Sequence, residues 1–94
     1  MTVDVLGCPY RVKFCKMPKG TYGDCDTDKK VIRINKRHKG QSGTLVHEVI
    51  HAALYESGLA FILHSALPEG TEEALVRAVE HGLKTADLIP EIEF

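Results

Sequence analysis

Two histidines and a glutamate near the middle of the chain have a spacing that suits metal chemistry. Residues 44–55 contain His47-Glu48-x-x-His51. Residues four apart on an α-helix lie on the same face, so His47 and His51 can direct two imidazoles at one metal ion. Glu48 lies beside them, where a carboxylate can take a proton from metal-bound water. The pattern therefore predicts a zinc (Zn2+) site of the kind that hydrolyses peptide bonds.

A helix has to present these three residues, and the surrounding sequence predicts one. Apolar residues recur there at helical spacing and form a stripe: Val46, Val49, Ile50, Ala53 and Leu54. We expect Ser42 or Gly43 to begin the helix and Gly58 to end it as a left-handed cap. Because the histidines flank the stripe, they should face protein or a cleft instead of open water.

A catalytic zinc ion takes three protein ligands and keeps one position open, so a third ligand is needed. A histidine six residues after His51 is absent, because that position is Ser57. Residues 70–74 lack the aspartate of a Gly-Thr-x-x-Asp motif. The candidates that remain are glutamates of a later predicted helix: Glu72, Glu73 and Glu80.

The periodicity of that helix, predicted over residues 72–86, favours one of these glutamates. At about 100° per residue, Glu72 shares a direction with a set of apolar residues: Leu75, Val76, Val79, Leu83 and Ala86. A carboxylate directed into a core needs a charge partner, which a zinc ion supplies. Glu72 is therefore the predicted third ligand, with Glu73 at the border of the face. The alternative is that both glutamates only stabilise the positive end of the helix dipole.

The rest of the chain predicts the elements that position these helices. Alternating residues at 2–6 and 10–14 indicate a hairpin. Residues 21–28 are expected to form an edge strand that leads into a turn, and residues 31–34 a third strand. Residues 59–67 are expected to be a buried connector with a short helical turn. Thr71 is the expected N-cap of the last helix, and Pro90 its limit.

Length and composition predict one domain covering residues 1–94, since 94 residues with 44% hydrophobic content can bury a modest core. We expect an α+β fold in which a small twisted sheet of three or four strands packs against the His-Glu helix and a second helix. The formal net charge of −1 does not favour binding of nucleic acid or of an acidic membrane surface.

The cysteines indicate a reducing compartment. Cys8, Cys15 and Cys25 are odd in number and have no Cys-x-x-Cys spacing, so neither a disulfide framework nor a thiolate zinc site is expected. Residues 1–5 lack the basic and apolar pattern of a signal peptide. A cytoplasmic location is therefore expected.

The two helices together resemble the minimal gluzincin metallopeptidases, which include the ImmA/IrrE-like group and small phage- or prophage-encoded zincins. The likeness rests on the His-Glu-x-x-His helix, on the strand of residues 31–34, and on Glu72-x-x-Leu75-Val76-x-Ala78-Val79-x-x-Gly82-Leu83. It implies that His47, His51 and Glu72 bind zinc and that Glu48 is the general base. We expect no counterpart of the extra N-terminal helix that many relatives have before the first strand.

Two further questions stay open on the sequence alone. The group that would stabilise the oxyanion of a peptide substrate has four candidates: Tyr55, His64, Tyr22 and Arg33. An extended substrate could pair with the predicted edge strand. The competing interpretation is a small interaction protein with no enzymatic activity that carries a structural zinc or no metal, in which His64 or His81 would supply a fourth ligand.

The cysteines are expected to take no part in metal binding. Replacement of Cys8, Cys15 and Cys25 by serine should leave the zinc content per chain unchanged, because their spacing does not suit a shared site. Metal analysis of the triple variant measures this. Loss of zinc with an unchanged circular dichroism spectrum would show that a thiolate ligand exists.

Overall fold

The computed structural model describes residues 1–86 and 89, and in them four strands precede three helices. The strands are β1 (Thr2–Val5), β2 (Cys8–Cys15), β3 (Gly23–Asp26) and β4 (Val31–Asn35). The helices are α1 (Gln41–Glu56), α2 (Leu59–Ala66) and α3 (Thr71–Thr85). The α+β class expected from the sequence is confirmed. The predicted limit at Pro90 lies outside the described residues.

The four strands form one mixed sheet in the order β1-β2-β4-β3. The predicted hairpin is confirmed as β1 and β2, which are joined by Leu6 and Gly7, both with left-handed backbone angles. β2 and β4 are parallel neighbours, whereas β3 and β4 are antiparallel neighbours. The strand predicted near residues 21–28 is thus an edge strand, with β4 as its one neighbour among the residues that the structure describes.

A close approach at the start of β3 requires glycine. A Cβ atom at Gly23 would lie 2.7 Å from the Arg33 carbonyl oxygen and 2.8 Å from Cγ2 of Thr44. Both distances are shorter than any real Cβ contact, and one of the neighbours is backbone. The absence of a side chain at Gly23 therefore lets β3 lie against β4 and the first turns of α1 at once.

The core lies between one face of the sheet and α1. The sheet contributes Tyr10, Val12, Ile32 and Ile34, and α1 contributes Leu45 and Ala52. The buried residues of α1 are Leu45, Glu48 and Ala52, so the helix packs through a different face from the predicted apolar stripe. α1 contacts the sheet on one side and α2 and α3 on another, so its apolar residues are shared between the two contacts.

Helix α2 differs from its prediction as a buried connector. It is a helix of eight residues with none buried, and Phe61 is 77% exposed. Only one side of α2 meets α1 and α3, where Ala60 and Leu63 are partly buried. Among the described residues, no helix is long and apolar enough to cross a lipid bilayer.

Helix α3 begins and packs differently from its prediction. Its N-cap is Gly70, while Thr71 is the first helical residue and donates its hydroxyl hydrogen to the Pro68 carbonyl at 2.6 Å. Val76 is its one buried residue in the described chain, and Leu75 and Val79 are exposed. The predicted packed face was therefore wrong, since α3 meets α1 along a narrow side that contains Val76.

A buried asparagine joins two loops below the sheet. Asn35 is fully buried at the end of β4, and its amide donates to the carbonyl of Thr21 at 2.7 Å and of Met17 at 3.3 Å. Its side-chain oxygen accepts from the backbone N–H of Arg37 at 3.0 Å. These bonds tie the segment between β2 and β3 to the loop that leads into α1.

Asn35→Ala should destabilise the protein by about 1–3 kcal/mol, because it leaves buried backbone groups without a partner. The free energy of unfolding in urea measures this change. Lys36→Ala is a matched control, since Lys36 is the exposed next residue, and should stay within about 0.5 kcal/mol. Equal stability of the two variants would contradict this role for Asn35.

Candidate metal centre

The two motif histidines lie where α1 faces α3. Their ring centroids are 5.0 Å apart in an edge-to-face arrangement, as expected for residues one turn apart. The side chain of His47 is 19% exposed and that of His51 is 18% exposed. Both rings are therefore accessible from a cleft but largely shielded from water.

The carboxylate of Glu73 contacts both histidines, in each case at Nε2. Its Oε1 lies 2.8 Å from Nε2 of His47, and its Oε2 lies 2.9 Å from Nε2 of His51. One ligand atom from each of these three residues lies within 4.8 Å of the others. Neighbouring ligands of a tetrahedral zinc ion are about 3.3 Å apart. The separations between the Glu73 carboxylate and the two Nε2 atoms would therefore have to lengthen by about half an ångström to admit such an ion.

Glu72 and Glu80 contact the opposite nitrogens of the same rings. Nδ1 of His51 lies 2.5 Å from Oε2 of Glu72, and Nδ1 of His47 lies 3.3 Å from Oε1 of Glu80. The second oxygen of Glu72 is 2.8 Å from Nε2 of His64. Glu72, which the sequence favoured as third ligand, thus lies behind His51, and the carboxylate that faces both Nε2 atoms belongs to Glu73.

The sequence contains a signal for this arrangement that the helical-wheel argument did not use. Glu72 and Glu73 precede the buried Val76 by four and three residues, and Glu80 follows it by four. All three glutamates therefore surround the same point of contact with α1. A packed face that also included Leu75 and Val79 would have Glu73 at its border, but both of these residues are exposed.

Glu48 lies on the buried face of α1, below the histidines. It is 7% exposed, and burial raises the pKa of its carboxyl above the ordinary 4.5, while positive charge on His47 and His51 acts to lower it. The thiol of Cys25 on β3 lies close enough to Glu48 to be affected by its charge. Burial, followed in size by the charge of Glu48, raises the pKa of this thiol to about 12. Glu48 is therefore a carboxylate that holds its proton more tightly than usual when no cation is near.

The pKa of the Glu73 carboxyl is shifted in the opposite direction from that of Glu48. Burial acts to raise the pKa of its carboxyl, but the attraction of His47 and His51, together with hydrogen bonds from His51 and Arg77, outweighs burial and lowers the pKa. Its side chain is 42% exposed. Glu73 is therefore the ionised, accessible carboxylate that a cation would find between the two histidines.

These residues line an open cleft of about 500 Å³ between β3 and the helices. Of the four candidates for stabilising an oxyanion, Tyr55 and His64 line this cleft. Tyr22 instead contacts His38 in a tilted arrangement, with the ring centroids 4.5 Å apart. Arg33 pairs with Asp24 and lines a second groove, which shares Asp24, Cys25 and Thr27 with the cleft. The geometry thus favours Tyr55 and His64 as the groups that could stabilise an oxyanion.

Tyr55 is held at the cleft by a charged contact that the sequence did not indicate. The Lys30 ammonium lies 4.9 Å from the centre of the Tyr55 ring and 5.5 Å from that of Tyr10. It also pairs with both carboxylate oxygens of Glu56 at 2.9 Å. Cation–π attraction and the ion pair together restrict the Tyr55 ring at the end of α1.

The proposed fourth ligands of a structural zinc site are not part of this group. Within residues 1–86 and 89, the one group suited to a metal consists of His47, His51 and Glu73. His64 contacts Glu72, and His81 is exposed. A metal ion held by these three residues would have no fourth protein ligand from that group.

Comparison of the chain with protein-family models, with curated proteins and with solved structures finds no match. The likeness to gluzincins thus rests on the motif residues, and any functional argument has to come from the site.

In the metal-free protein, Glu48→Gln should increase stability at pH 7 by about 0.5–2 kcal/mol. The raised pKa means that the fold favours the neutral carboxyl. The contribution of this group to stability is therefore complete below the unfolded pKa and is lost as pH rises through the folded pKa. Urea unfolding with a chelator present, at pH 3.5 and at pH 7, measures the difference.

The stability gain from Glu48→Gln should shrink at the lower pH, where glutamate itself is neutral. A variant that is less stable than the wild type at both pH values would show that the Glu48 carboxylate is well accommodated in the fold.

Proposed function

We propose that this protein is a zinc-dependent metallopeptidase of the minimal gluzincin type, with His47, His51 and Glu73 as zinc ligands. The observation that carries the proposal is the convergence of two Nε2 atoms and one carboxylate beside the buried Glu48, at an open cleft. Glu73 takes the place that the sequence gave to Glu72, because Glu73 faces both Nε2 atoms.

The donor set supports zinc. Two imidazoles and one glutamate, with a fourth position open, form a ligand set of catalytic zinc sites. A bound zinc ion would supply Lewis acidity, which acidifies water and polarises a carbonyl group. The ionised state of Glu73 suits this role, since its pKa is already lowered by the histidines.

Glu48 is the proposed general base. Its carboxylate lines the cleft next to both histidines and is shielded from water. A neighbouring cation favours the ionised form, which can accept a proton from water, while burial favours passing that proton on to the leaving amine. One residue can therefore serve both proton transfers of peptide hydrolysis.

The shape of the site supports an extended polypeptide as substrate. β3 lines the cleft and, within the described part of the chain, pairs only with β4, so no other described strand covers its outer edge. An extended chain can add to such an edge as a further strand. Tyr55 and His64 on the opposite side are then available to donate hydrogen bonds to a substrate carbonyl.

The alternative is a structural zinc in an interaction protein, and the exposed apolar side chains of α2 favour a contact with another protein. Phe61 is 77% exposed and Ile62 is 55% exposed. The three-membered ligand group argues for the enzyme, because structural zinc sites have four protein ligands.

The wild type, purified without a histidine tag, should bind one zinc ion per chain and hydrolyse an unfolded protein such as casein. Glu48→Gln should keep the zinc and reduce the hydrolysis rate at least about 100-fold, since it removes the general base. Glu69→Gln is the control, because Glu69 is exposed and lies outside the cleft.

Zinc content is measured by elemental analysis and hydrolysis by release of labelled peptides. Less than about 0.1 zinc per chain after zinc addition would contradict the metal site. Full zinc occupancy with no hydrolysis in the wild type would favour the structural alternative.

A further inference from the structure

The three glutamates of α3 contact the two histidines in two different ways. Glu73 spans both Nε2 atoms, while Glu72 reaches Nδ1 of His51 at 2.5 Å and Glu80 reaches Nδ1 of His47 at 3.3 Å. Each ring therefore lies between two carboxylates. The side chains of Glu72 and Glu80 are 18% and 25% exposed, so both contacts are shielded from water.

We infer that Glu72 and Glu80 are positioning residues that hold His51 and His47, through Nδ1, with Nε2 directed at the metal. Their effect on metal binding rests on the proposed function, whereas the two hydrogen bonds exist without it. Neither residue is a ligand in this assignment, and the sequence prediction of Glu72 as a ligand is replaced by a role behind His51.

The chemistry of imidazole explains why such partners matter. A neutral histidine carries its proton on one nitrogen and a lone pair on the other, and the hydrogen bond at one nitrogen decides which is which. An ionised carboxylate accepts only, so a carboxylate at Nδ1 keeps a proton on that nitrogen. In the metal-free site Glu73 can hold a second proton on Nε2 in the same way, and a metal ion that displaced this second proton would meet the lone pair of Nε2. The same contact stops the ring from rotating, which lowers the entropy cost of binding a metal.

The two contacts are not equivalent, and this gives a test within the molecule. Glu80 contacts His47 alone in this cluster, at the longer distance. Glu72 also contacts Nε2 of His64 at 2.8 Å, and His64 lies on α2 at the cleft. Glu72 thus ties α1 to α2, a helix with no buried residue of its own. Removal of Glu72 should therefore alter both the His51 ring and the position of α2.

The hydrogen bonds can be tested directly in the metal-free protein by NMR of the histidine ring nitrogens and their attached protons. The wild type should show a slowly exchanging Nδ1 proton for each of His47 and His51. Glu72→Ala should lose the His51 signal only, and Glu80→Ala the His47 signal only. Glu72→Gln, which keeps an acceptor oxygen, should retain the His51 signal and control for simple loss of folding.

The effect on metal is measured by zinc titration against a chelator of known affinity. Glu72→Ala and Glu80→Ala should each weaken zinc binding about 10- to 100-fold with the stoichiometry still one per chain. Glu73→Ala should lose stoichiometric binding, and Glu69→Ala should match the wild type. Loss of stoichiometric binding in Glu72→Ala with retention in Glu73→Ala would overturn the assignment and make Glu72 the ligand.

The two proposals fail in different ways. A wild type that binds no zinc overturns the proposed function, and the ring-proton pattern still decides whether Glu72 and Glu80 hold the histidines. Ring signals that survive both alanine substitutions, in correctly folded variants, overturn this inference even if the protein binds zinc and hydrolyses peptides.

Discussion

The contact between α1 and α3 is the interaction on which the site depends, and it joins carboxylates of α3 to imidazoles of α1. Three carboxylates of α3 surround two imidazoles of α1, with Glu48 buried below them. Carboxylates shielded from water are costly unless they are paired with positive charge. Protons on the histidines or a bound cation can supply that charge, so packing of the two helices and occupancy of the site are physically linked.

The sheet determines where this charged contact can form. α1 directs Leu45, Glu48 and Ala52 toward the sheet, and the turn of the helix then places His47 and His51 on the neighbouring side. Glu48 is therefore at the boundary between the apolar core and the cleft. A carboxylate at such a boundary costs stability and is available for proton transfer, a combination that is typical of functional sites.

The cleft is built from elements with few other contacts. β3 is an edge strand that Gly23 allows close to α1, and α2 has no buried residue. Small proteins have little core to spare, so walls of this kind are held by specific polar contacts. Here the contacts are Glu72 with His64 on one side, and Lys30 with Glu56 and Tyr55 on the other.

Local patterns in the sequence determined α1, its end at Gly58, the β1–β2 hairpin and the common face of His47 and His51. These features depend on residues no more than about four positions apart in a helix or paired across a tight turn. The parallel pairing of β2 with β4, the buried Asn35 and the exposure of α2 were decided only by the tertiary structure. The placement of Glu72 and Glu73 belongs with them, because both face α1 and only the position of α3 against the two imidazoles brings the Glu73 carboxylate to both Nε2 atoms.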